Sequence, residues 1–360
     1  MLAVALGMTA CKSDPAAPAA ETGDSSDASG ASTAAEADNG GENGGSTSAE
    51  SSAGTSAETS AGSETTGGTD TGGDEEPLRF VVLGDGGEGN EAQFRVAEAV
   101  EMVCVERGCE FALYLGDNFY DSGVEGVQDE QFFSKFEEPY ADLDFPFYVT
   151  LGNHDYGGVI GGVFSNEWYK GDYQIEYTNF SEKWTMPAKW YDFKWKDARF
   201  ISVDTPRMMF DHETQEQRSW ISGVTSGASE TWKIAFGHHP YISNGSHGNA
   251  GNYEGIPWPD TVSGGDVKDF MDQEFCYRID VYFSGHDHTR QWLEPVCGVE
   301  YIVSGAAAKT TELSRRDDNP VFYEDDSKAG FAWVEIDGTQ MYMAFYDLDG
   351  NLDFERTFSK

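Results

Sequence analysis

The sequence predicts an α/β fold for residues 77–360, and two observations predict it. Short apolar runs of strand character recur along this part of the chain, and five of them end in a glycine followed by Asp, Asn or His. Short continuous apolar runs are typical of buried strands. Between the first two runs, Phe94, Ala97, Val100 and Cys104 recur at helical spacing, which makes a β-α-β unit.

Residues 12–76 differ in composition from the rest of the chain. They contain no aromatic residue and no Val, Ile, Leu or Met. Such a segment cannot bury enough apolar surface to offset its ordering entropy, so we expect a disordered tether rich in Ser, Ala, Gly and Thr. Its 14 acidic residues and one Lys give it a net charge of −13. Repulsion among these charges should keep the tether extended.

Residues 77–360 contain every Phe, Trp and Tyr of the chain and have the length of one large domain. The chain has a net charge of −41, of which −28 remains here once the tether's −13 is set aside. A domain this acidic is a poor partner for nucleic acid and for anionic lipid surfaces. We therefore expect no nucleic-acid partner and a solvated acidic surface. We also expect a monomer.

The first eleven residues predict export. Met1–Ala10 is apolar but too short to span a bilayer, and it looks like the end of a secretory signal that lacks a basic start. Met8-Thr9-Ala10-Cys11 resembles a bacterial lipobox, in which small residues precede a lipidated Cys. The alternative is a lone Cys in a leader peptide. We predict a lipoprotein of the bacterial cell envelope or surface, which contacts the membrane only through a lipid on Cys11.

Four further cysteines lie in the folded part, at Cys104, Cys109, Cys276 and Cys297. An even number in an exported chain suggests disulfides, most simply Cys104–Cys109 and Cys276–Cys297 by proximity. Four cysteines allow three connectivities, and free thiols or a zinc site remain open. The absence of a C-x-x-C pair weakens the zinc alternative.

Each of the five strand-like runs is followed by a residue that can bind a metal. The runs and their ligands are RFVVLGD (Asp85), FALYLGD (Asp117), FPFYVTLGN (Asn153), WKIAFGH (His238) and DVYFSGH (His286). The carboxyl ends of such strands are where α/β folds place their active sites. A preceding glycine lets the backbone turn sharply and admits close approach of an ion. A sixth run, Glu300–Gly305, lacks a ligand and is predicted to be another core strand.

Each motif alone has a structural explanation. Asp85 fits a turn aspartate, Asn153 fits an Asx turn, and single histidines are often buried for packing. Together these explanations fail, because five of the seven histidines lie in three glycine-headed motifs. They are His154, His238, His239, His286 and His288. Asp, Asn, Tyr and His without Cys favour iron, manganese or zinc.

The spacing within the motifs suggests how the ligands group. Asp117 and Tyr120 are three residues apart, so one helical turn after the strand would bring both to the same side. His286 and His288 would lie against two different ions if the backbone turns between them. Asp287 is then better explained as a structural acid than as a ligand.

The first motif also matches the dinucleotide-binding pattern G-x-G-x-x-G, through Gly84, Gly86 and Gly89. We reject a dinucleotide loop, because the Asp85 carboxylate would lie beside the pyrophosphate without a cation to compensate it. Asp85 is better interpreted as a metal ligand, and the flanking glycines as the room it needs.

The order GDG, GDNFY, GNHD, GHHP, GHDH resembles that of the purple acid phosphatases, within the calcineurin-like metallophosphoesterases. The closest resemblance is to the small, single-domain, tartrate-resistant type, and it extends over nearly all of residues 77–360. It implies a four-layer sandwich of two mixed β-sheets flanked by helices, with a dimetal site at the carboxyl ends of the strands. It also implies an acid phosphatase that hydrolyses small phosphate monoesters, with phosphoproteins or nucleotides as alternative substrates.

The resemblance further implies two metal sites that share Asp117. The first site, for ferric iron, would be formed by Asp85, Asp117, Tyr120 and His288. The second site, for Fe(II), Zn or Mn, would be formed by Asp117, Asn153, His238 and His286.

Three more histidines match positions near the reacting phosphate. His154 matches a histidine that contacts phosphate and can protonate the leaving group, and His247 matches a second active-site histidine. His239 stands where Tyr is usual, as a further phosphate contact or as packing. The chain departs from the pattern at Ser246, where those enzymes carry Glu, and in the long segment Gly157–Tyr173, a lid or an inert loop.

Two other functions compete with this one. A metallophosphodiesterase acting on nucleotides or glycerophosphodiesters would use the same metals, although Tyr120 argues against it. A non-catalytic, surface-displayed binding lipoprotein could use the same scaffold. Loss of a ligand would favour that second alternative, yet all seven ligand positions are filled.

Overall fold

A computed structural model describes residues 76–158 and 167–360, and fourteen strands and six α-helices lie in those ranges. The strands are β1 (Leu78–Leu83), β2 (Phe111–Tyr114), β3 (Phe147–Val149), β4 (Trp184–Thr185), β5 (Tyr191–Trp195), β6 (Ala198–Ser202), β7 (Trp232–Phe236), β8 (Val281–Ser284), β9 (Arg290–Val296), β10 (Val299–Ser304), β11 (Val321–Asp325), β12 (Gly330–Asp337), β13 (Gln340–Asp347) and β14 (Leu352–Ser359). The helices are α1 (Glu91–Arg107), α2 (Lys170–Tyr177), α3 (Thr205–Met209), α4 (Thr214–Ser226), α5 (Asp260–Ser263) and α6 (Gly265–Glu274). Cys11 and nearly all of the predicted tether lie outside the described residues, so the signal segment, the tether and the domain boundaries stay predictions.

The described strands form two mixed sheets of seven strands each. The first has the order β14-β13-β12-β1-β2-β3-β4, and the second has the order β11-β9-β10-β8-β7-β6-β5. The neighbours from β1 to β4 are parallel, as are β6, β7, β8 and β10, whereas the outer strands pair antiparallel. Two mixed sheets with helices are the architecture that the resemblance implied, and the structure confirms it.

The two sheets face each other across a core of aromatic rings. Phe80 of β1 lies edge-on to Phe200 of β6, with ring centroids 5.3 Å apart, and to Phe283 of β8, at 6.3 Å. All three rings are fully buried. Because successive side chains of a strand point to opposite faces, Phe283 packs between the sheets while its neighbour Tyr282 packs on the outer face of the second sheet.

Helices cover the outer face of each sheet. Helix α1 buries Val96, Val100 and Val103 and contacts β12 and β13, so the helix predicted between the first two strands is confirmed. Its N-terminus is capped by Asn90, whose side chain accepts from the backbone N–H of Gln93 (3.0 Å). On the second sheet, α3, α4 and α6 pack their buried apolar side chains against the outer face. The layers therefore follow the order helix, sheet, sheet, helix, which makes four layers.

Two disulfides join the four cysteines of the folded part. Cys104, near the end of α1, is bonded to Cys109, and Cys276 is bonded to Cys297. This is the pairing that proximity favoured among the three connectivities. The sixth apolar run forms β10, as predicted. Among the described residues, no helix is long and apolar enough to cross a bilayer.

Candidate metal centre

The carboxyl ends of five strands converge at one edge of the sandwich. Strands β1, β2 and β3 are neighbours in the first sheet, and β7 and β8 are neighbours in the second. All five runs that were predicted as strands from the sequence are strands in the structure. The loops that follow them carry the predicted ligands, so parallel topology brings residues from both sheets to one place.

The first group of donor atoms surrounds the phenol of Tyr120. Its oxygen lies 3.1 Å from Asp85 Oδ1, to which it donates, and 3.1 Å from His288 Nε2. His288 Nε2 lies 3.5 Å from Asp85 Oδ1. All three residues are buried. The structure thus brings together three of the four residues that the resemblance assigned to the first site.

The second group surrounds His238. Its Nε2 lies 3.0 Å from Asn153 Oδ1, 3.1 Å from His286 Nδ1 and 3.4 Å from Asp117 Oδ2. Ligand atoms of Asp117, His238 and His286 all lie within 4.8 Å of one another. These are the four residues that the resemblance assigned to the second site.

Both groups fit a bound cation. Two ligands of one ion, each bound at about 2.0–2.2 Å, stand about 3 Å apart when they subtend a right angle, and the donor atoms here are spaced at such distances. Burial alone would raise the pKa of Asp117, but the charges of His238 and His154 lower it, so the carboxylate is ionised as a ligand must be. Burial and the negative charges of Asp117 and Asp85 raise the pKa of Tyr120, so its ionisation depends on a nearby cation.

The glycines before the ligands leave no room for a side chain. A Cβ on Gly152 would lie 2.1 Å from Asp117 Oδ1, and one on Gly285 would lie 2.3 Å from Asp85 Oδ2. Three predicted ligands also have the left-handed backbone that side chains rarely adopt, with φ of 59° at Asp85, 51° at Asp117 and 69° at His286. Strain of this kind concentrates at functional sites, where the surrounding structure maintains it.

The metal-facing histidines are oriented by their other ring nitrogens. His238 Nδ1 lies 2.9 Å from the carbonyl oxygen of Leu115, and His288 Nδ1 lies 3.0 Å from Thr311 Oγ1. A histidine whose Nδ1–H donates to such a partner presents an unprotonated Nε2 to a metal. The tautomer that a metal needs is therefore the one that these contacts favour.

The remaining three predicted histidines lie around the two groups. His154 donates its backbone N–H to Asp117 Oδ1 (2.8 Å), and its Nδ1 lies 2.6 Å from the carbonyl oxygen of Asp121. His247 stacks on His286, with centroids 4.0 Å apart. His239 is buried, with its Nδ1 2.9 Å from Thr205 Oγ1. Its ring packs 4.4 Å from that of His286.

Sequence reasoning missed several residues that hold this centre together. Asp155 is fully buried and accepts from the backbone N–H groups of Gly152 (2.7 Å) and Asn118 (3.0 Å), so it joins the two ligand loops. Its position in the motif GNHD was the signal that could have revealed it. The ammonium of Lys309 lies 3.4 Å from the ring centroid of Tyr120, and no local pattern in the sequence marks it.

Around this centre, one predicted detail is wrong, a second agrees with the structure and a third stays a prediction. The prediction that a helical turn aligns Asp117 with Tyr120 is wrong, because residues 115–120 form an irregular loop in which Asp117 has a positive φ. Asp287 behaves as the structural acid that was predicted, since its Oδ1 accepts from the backbone N–H of His247 (2.9 Å). The centre of Gly157–Tyr173 lies outside the described residues, so a lid there stays a prediction.

A family model described as calcineurin-like phosphoesterase matches residues 78–290. The chain therefore belongs to the calcineurin-like phosphoesterases, and the donor groups lie within the matched part. Within that family it is similar to human tartrate-resistant acid phosphatase type 5, with 28% identity over 316 residues that cover 77% of this chain and 90% of the relative.

Solved structures share the fold at lower identity. GAP50, described as the anchor in the inner membrane complex of Plasmodium, matches with a TM-score of 0.62 and 21% identity over 79% of this chain and 89% of its own. A purple acid phosphatase from yellow lupin (Lupinus luteus) matches with a TM-score of 0.59 and 16% identity over 79% of this chain and 54% of its own. The fold is thus that of purple acid phosphatases, and the chain is a phosphoesterase by family.

Proposed function

We propose that this protein is an acid phosphatase that hydrolyses phosphate monoesters with a dinuclear Fe(III)–M(II) centre. The observation that carries the proposal is the pairing of two buried donor groups, one around Tyr120 and one around His238, with Asp117 as the carboxylate common to both assignments. The similarity to human tartrate-resistant acid phosphatase type 5 supports the same activity.

In this proposal, Asp85, Asp117, Tyr120 and His288 hold ferric iron, and Asp117, Asn153, His238 and His286 hold Fe(II), Zn or Mn. Two such cations would bind phosphate oxygens and would lower the pKa of a bound water, which is the chemistry that the metals would supply. The protein's own groups bind and orient the substrate and supply the proton for the leaving group.

His154, together with His247, is a proposed proton donor to the leaving group. Its Nδ1–H donates to the carbonyl oxygen of Asp121, which fixes the ring and leaves Nε2 free of that contact. His154 Nε2 lies 3.9 Å from Asp117 Oδ2, so the ring stands beside the carboxylate assigned to both metals. A proton donor held next to the site of phosphate binding accelerates departure of the alkoxide.

The two competing functions have less support. A phosphodiesterase would use the same donor groups, but the tyrosine beside Asp85 and His288 is the feature shared with purple phosphatases. The alternative of a surface-displayed binding protein has a parallel in GAP50, which shares the fold and is described as an anchor. In this chain, however, side chains able to bind metal occupy every position of both donor groups, which a scaffold protein does not require.

A substrate panel tests the proposal. The purified protein, loaded with iron and zinc, should hydrolyse p-nitrophenyl phosphate faster than bis(p-nitrophenyl) phosphate at mildly acid pH. Faster hydrolysis of the diester would favour the phosphodiesterase. No turnover of either ester by fully metal-loaded protein would favour the non-catalytic alternative.

We also propose that the protein is exported and anchored to the bacterial envelope through a lipid on Cys11. The support is the lipobox-like Met8–Cys11 and the acidic segment of residues 12–76 that separates it from the catalytic domain. An extended tether of this length would let the domain reach substrates away from the membrane surface.

A further inference from the structure

The loop after β7 returns to the metal centre and brings a carboxylate against an active-site histidine. We propose that Glu254 is the positioning residue of His247: it fixes the orientation and tautomer of the ring for its contact with the leaving group. This proposal rests on the proposed phosphatase function. Nothing in the sequence motifs marks Glu254.

Two hydrogen bonds join the residues. The Nδ1–H of His247 donates to Glu254 Oε1, and the backbone N–H of Glu254 donates to the carbonyl oxygen of His247 (2.9 Å). The two residues are therefore linked by one side-chain hydrogen bond and one backbone hydrogen bond. A histidine with its Nδ1–H on a carboxylate has one defined tautomer, with Nε2 available to a substrate.

The backbone of Glu254 is held in an unfavourable conformation to make this contact. Its φ is 57° and its ψ is 10°, in the left-handed region that a residue with a Cβ rarely enters. Neighbouring contacts hold it there: Tyr253 donates its hydroxyl to the carbonyl oxygen of Pro240, and Asn252 Nδ2 donates to Asp317 Oδ1 (3.2 Å). A local outlier that the surroundings maintain is a reason to look for a function.

The other side of His247 faces the metal centre. Its ring lies on that of His286, with centroids 4.0 Å apart and planes 31° apart, and its backbone is held by Asp287 Oδ1. Glu254 therefore approaches the ring at Nδ1, while the proposed metal ligand lies against its face. A ring held on both sides has little freedom to turn, as a positioned proton donor requires.

The contact between Glu254 and His247 is relevant to Ser246, the position at which the chain departs from the family pattern. The resemblance implied Glu immediately before the histidine, whereas this chain carries Ser246 there. Glu254 supplies a carboxylate to the same histidine from seven residues further along. The chain thus retains a carboxylate beside His247 without the residue that the motif would have placed there.

A structural role alone would give a different result from a positioning role. The side chain of Glu254 is 38% exposed, and exposed ion pairs contribute little to stability. Glu254→Gln should therefore fold normally and retain its metals. The decrease in kcat that this substitution causes should depend on the basicity of the leaving group, because a proton donor matters most when the departing alkoxide is basic.

The experiment compares kcat and KM of metal-loaded wild type and Glu254→Gln on p-nitrophenyl phosphate and on glycerol 2-phosphate. We expect kcat on glycerol 2-phosphate to fall about 10- to 100-fold, with kcat on p-nitrophenyl phosphate within about 3-fold and KM nearly unchanged. His247→Ala should show the same pattern, and the double variant should lose no more than His247→Ala alone. Glu254→Asp should recover part of the loss.

Glu335→Gln is the matched control, because its carboxylate is also ion-paired, with Arg79, and is 31% exposed. It lies near the start of β1, at the opposite end of the strands from the metal centre, and should leave both substrates unaffected. Equal losses on both substrates, no loss on either, additive losses in the double variant, or loss of metal from Glu254→Gln would each overturn the proposal. A wild-type protein that hydrolyses neither ester would instead refute the proposed function itself.

Discussion

Replacing Gly152 by Ala tests whether the missing side chain at this position leaves the space that the carboxylate of Asp117 occupies. An added Cβ would lie 2.1 Å from Asp117 Oδ1 and 2.2 Å from the backbone nitrogen of Asp117, whereas ordinary van der Waals contact begins near 3.4 Å. Both distances are more than 1 Å too short, and one of them is to a backbone atom, so Asp117 must move. Overpacking of this kind costs about 1–3 kcal/mol of stability. A displacement of about 1 Å in a catalytic group costs roughly 100-fold in rate.

We expect Gly152→Ala to lose about 100-fold in kcat/KM and to retain less than one equivalent of the second metal after dialysis. The assays are p-nitrophenyl phosphate hydrolysis, metal analysis and thermal unfolding. Gly223→Ala in α4 is the matched control, because no heavy atom lies within 4 Å of its added Cβ. That control should retain full activity and gain about 0.5–1 kcal/mol of stability from helix propensity. Wild-type activity and metal content in Gly152→Ala would refute the steric argument.

Three further predictions follow from other parts of the chain. His154→Ala should lower kcat on glycerol 2-phosphate by about 100-fold or more with little loss of metal, as expected of a proton donor; loss of a metal ion from this variant would identify His154 as a ligand instead. Burial opposes ionisation of Asp347, but the Lys328 ammonium and the N–H groups of Asn351 hold its pKa at about 2. Because this folded-state pKa lies below the ordinary 3.8, the ionised carboxylate stabilises the protein above about pH 4, and the contribution is lost as the pH falls through about 2. Asp347→Asn should therefore lower the urea-unfolding free energy at pH 6 by up to ~2 kcal/mol and much less at pH 2; equal losses at both pH values would contradict this. Finally, Cys11→Ala should move active enzyme from the membrane fraction to the soluble fraction, and unchanged membrane association would exclude the lipid anchor.

The strands and the first helix were predictable because their signals are local. A run such as residues 80–83 is apolar at every position because the strand is buried on both faces, and it needs no partner to be recognised. Helix α1 follows from apolar residues such as Ala97 and Val100 at a spacing of about one turn. The metal-capable residues could be found because each follows a strand directly.

What sequence could not predict is how loops approach the centre. Tyr120 reaches Asp85 through an irregular loop, for which three-residue spacing gave the wrong explanation. Glu254 reaches His247 only because residues 247–255 fold back on themselves. Lys309 follows β10, on a different sheet from the strand that precedes Tyr120. Such contacts depend on tertiary packing and leave no local pattern.

The visible spectrum of the metal-loaded protein tests the central claim most directly, because a tyrosinate bound to ferric iron gives a ligand-to-metal charge-transfer band. The wild-type protein should be pink to violet and contain about two metal ions per chain, at least one of them iron. Tyr120→Phe should keep the fold and lose the colour, since it removes the phenolate oxygen and retains the buried ring. A colourless, metal-loaded wild type, with Tyr120→Phe unchanged in spectrum and metal content, would contradict the purple phosphatase centre and leave a phosphoesterase of the wider family.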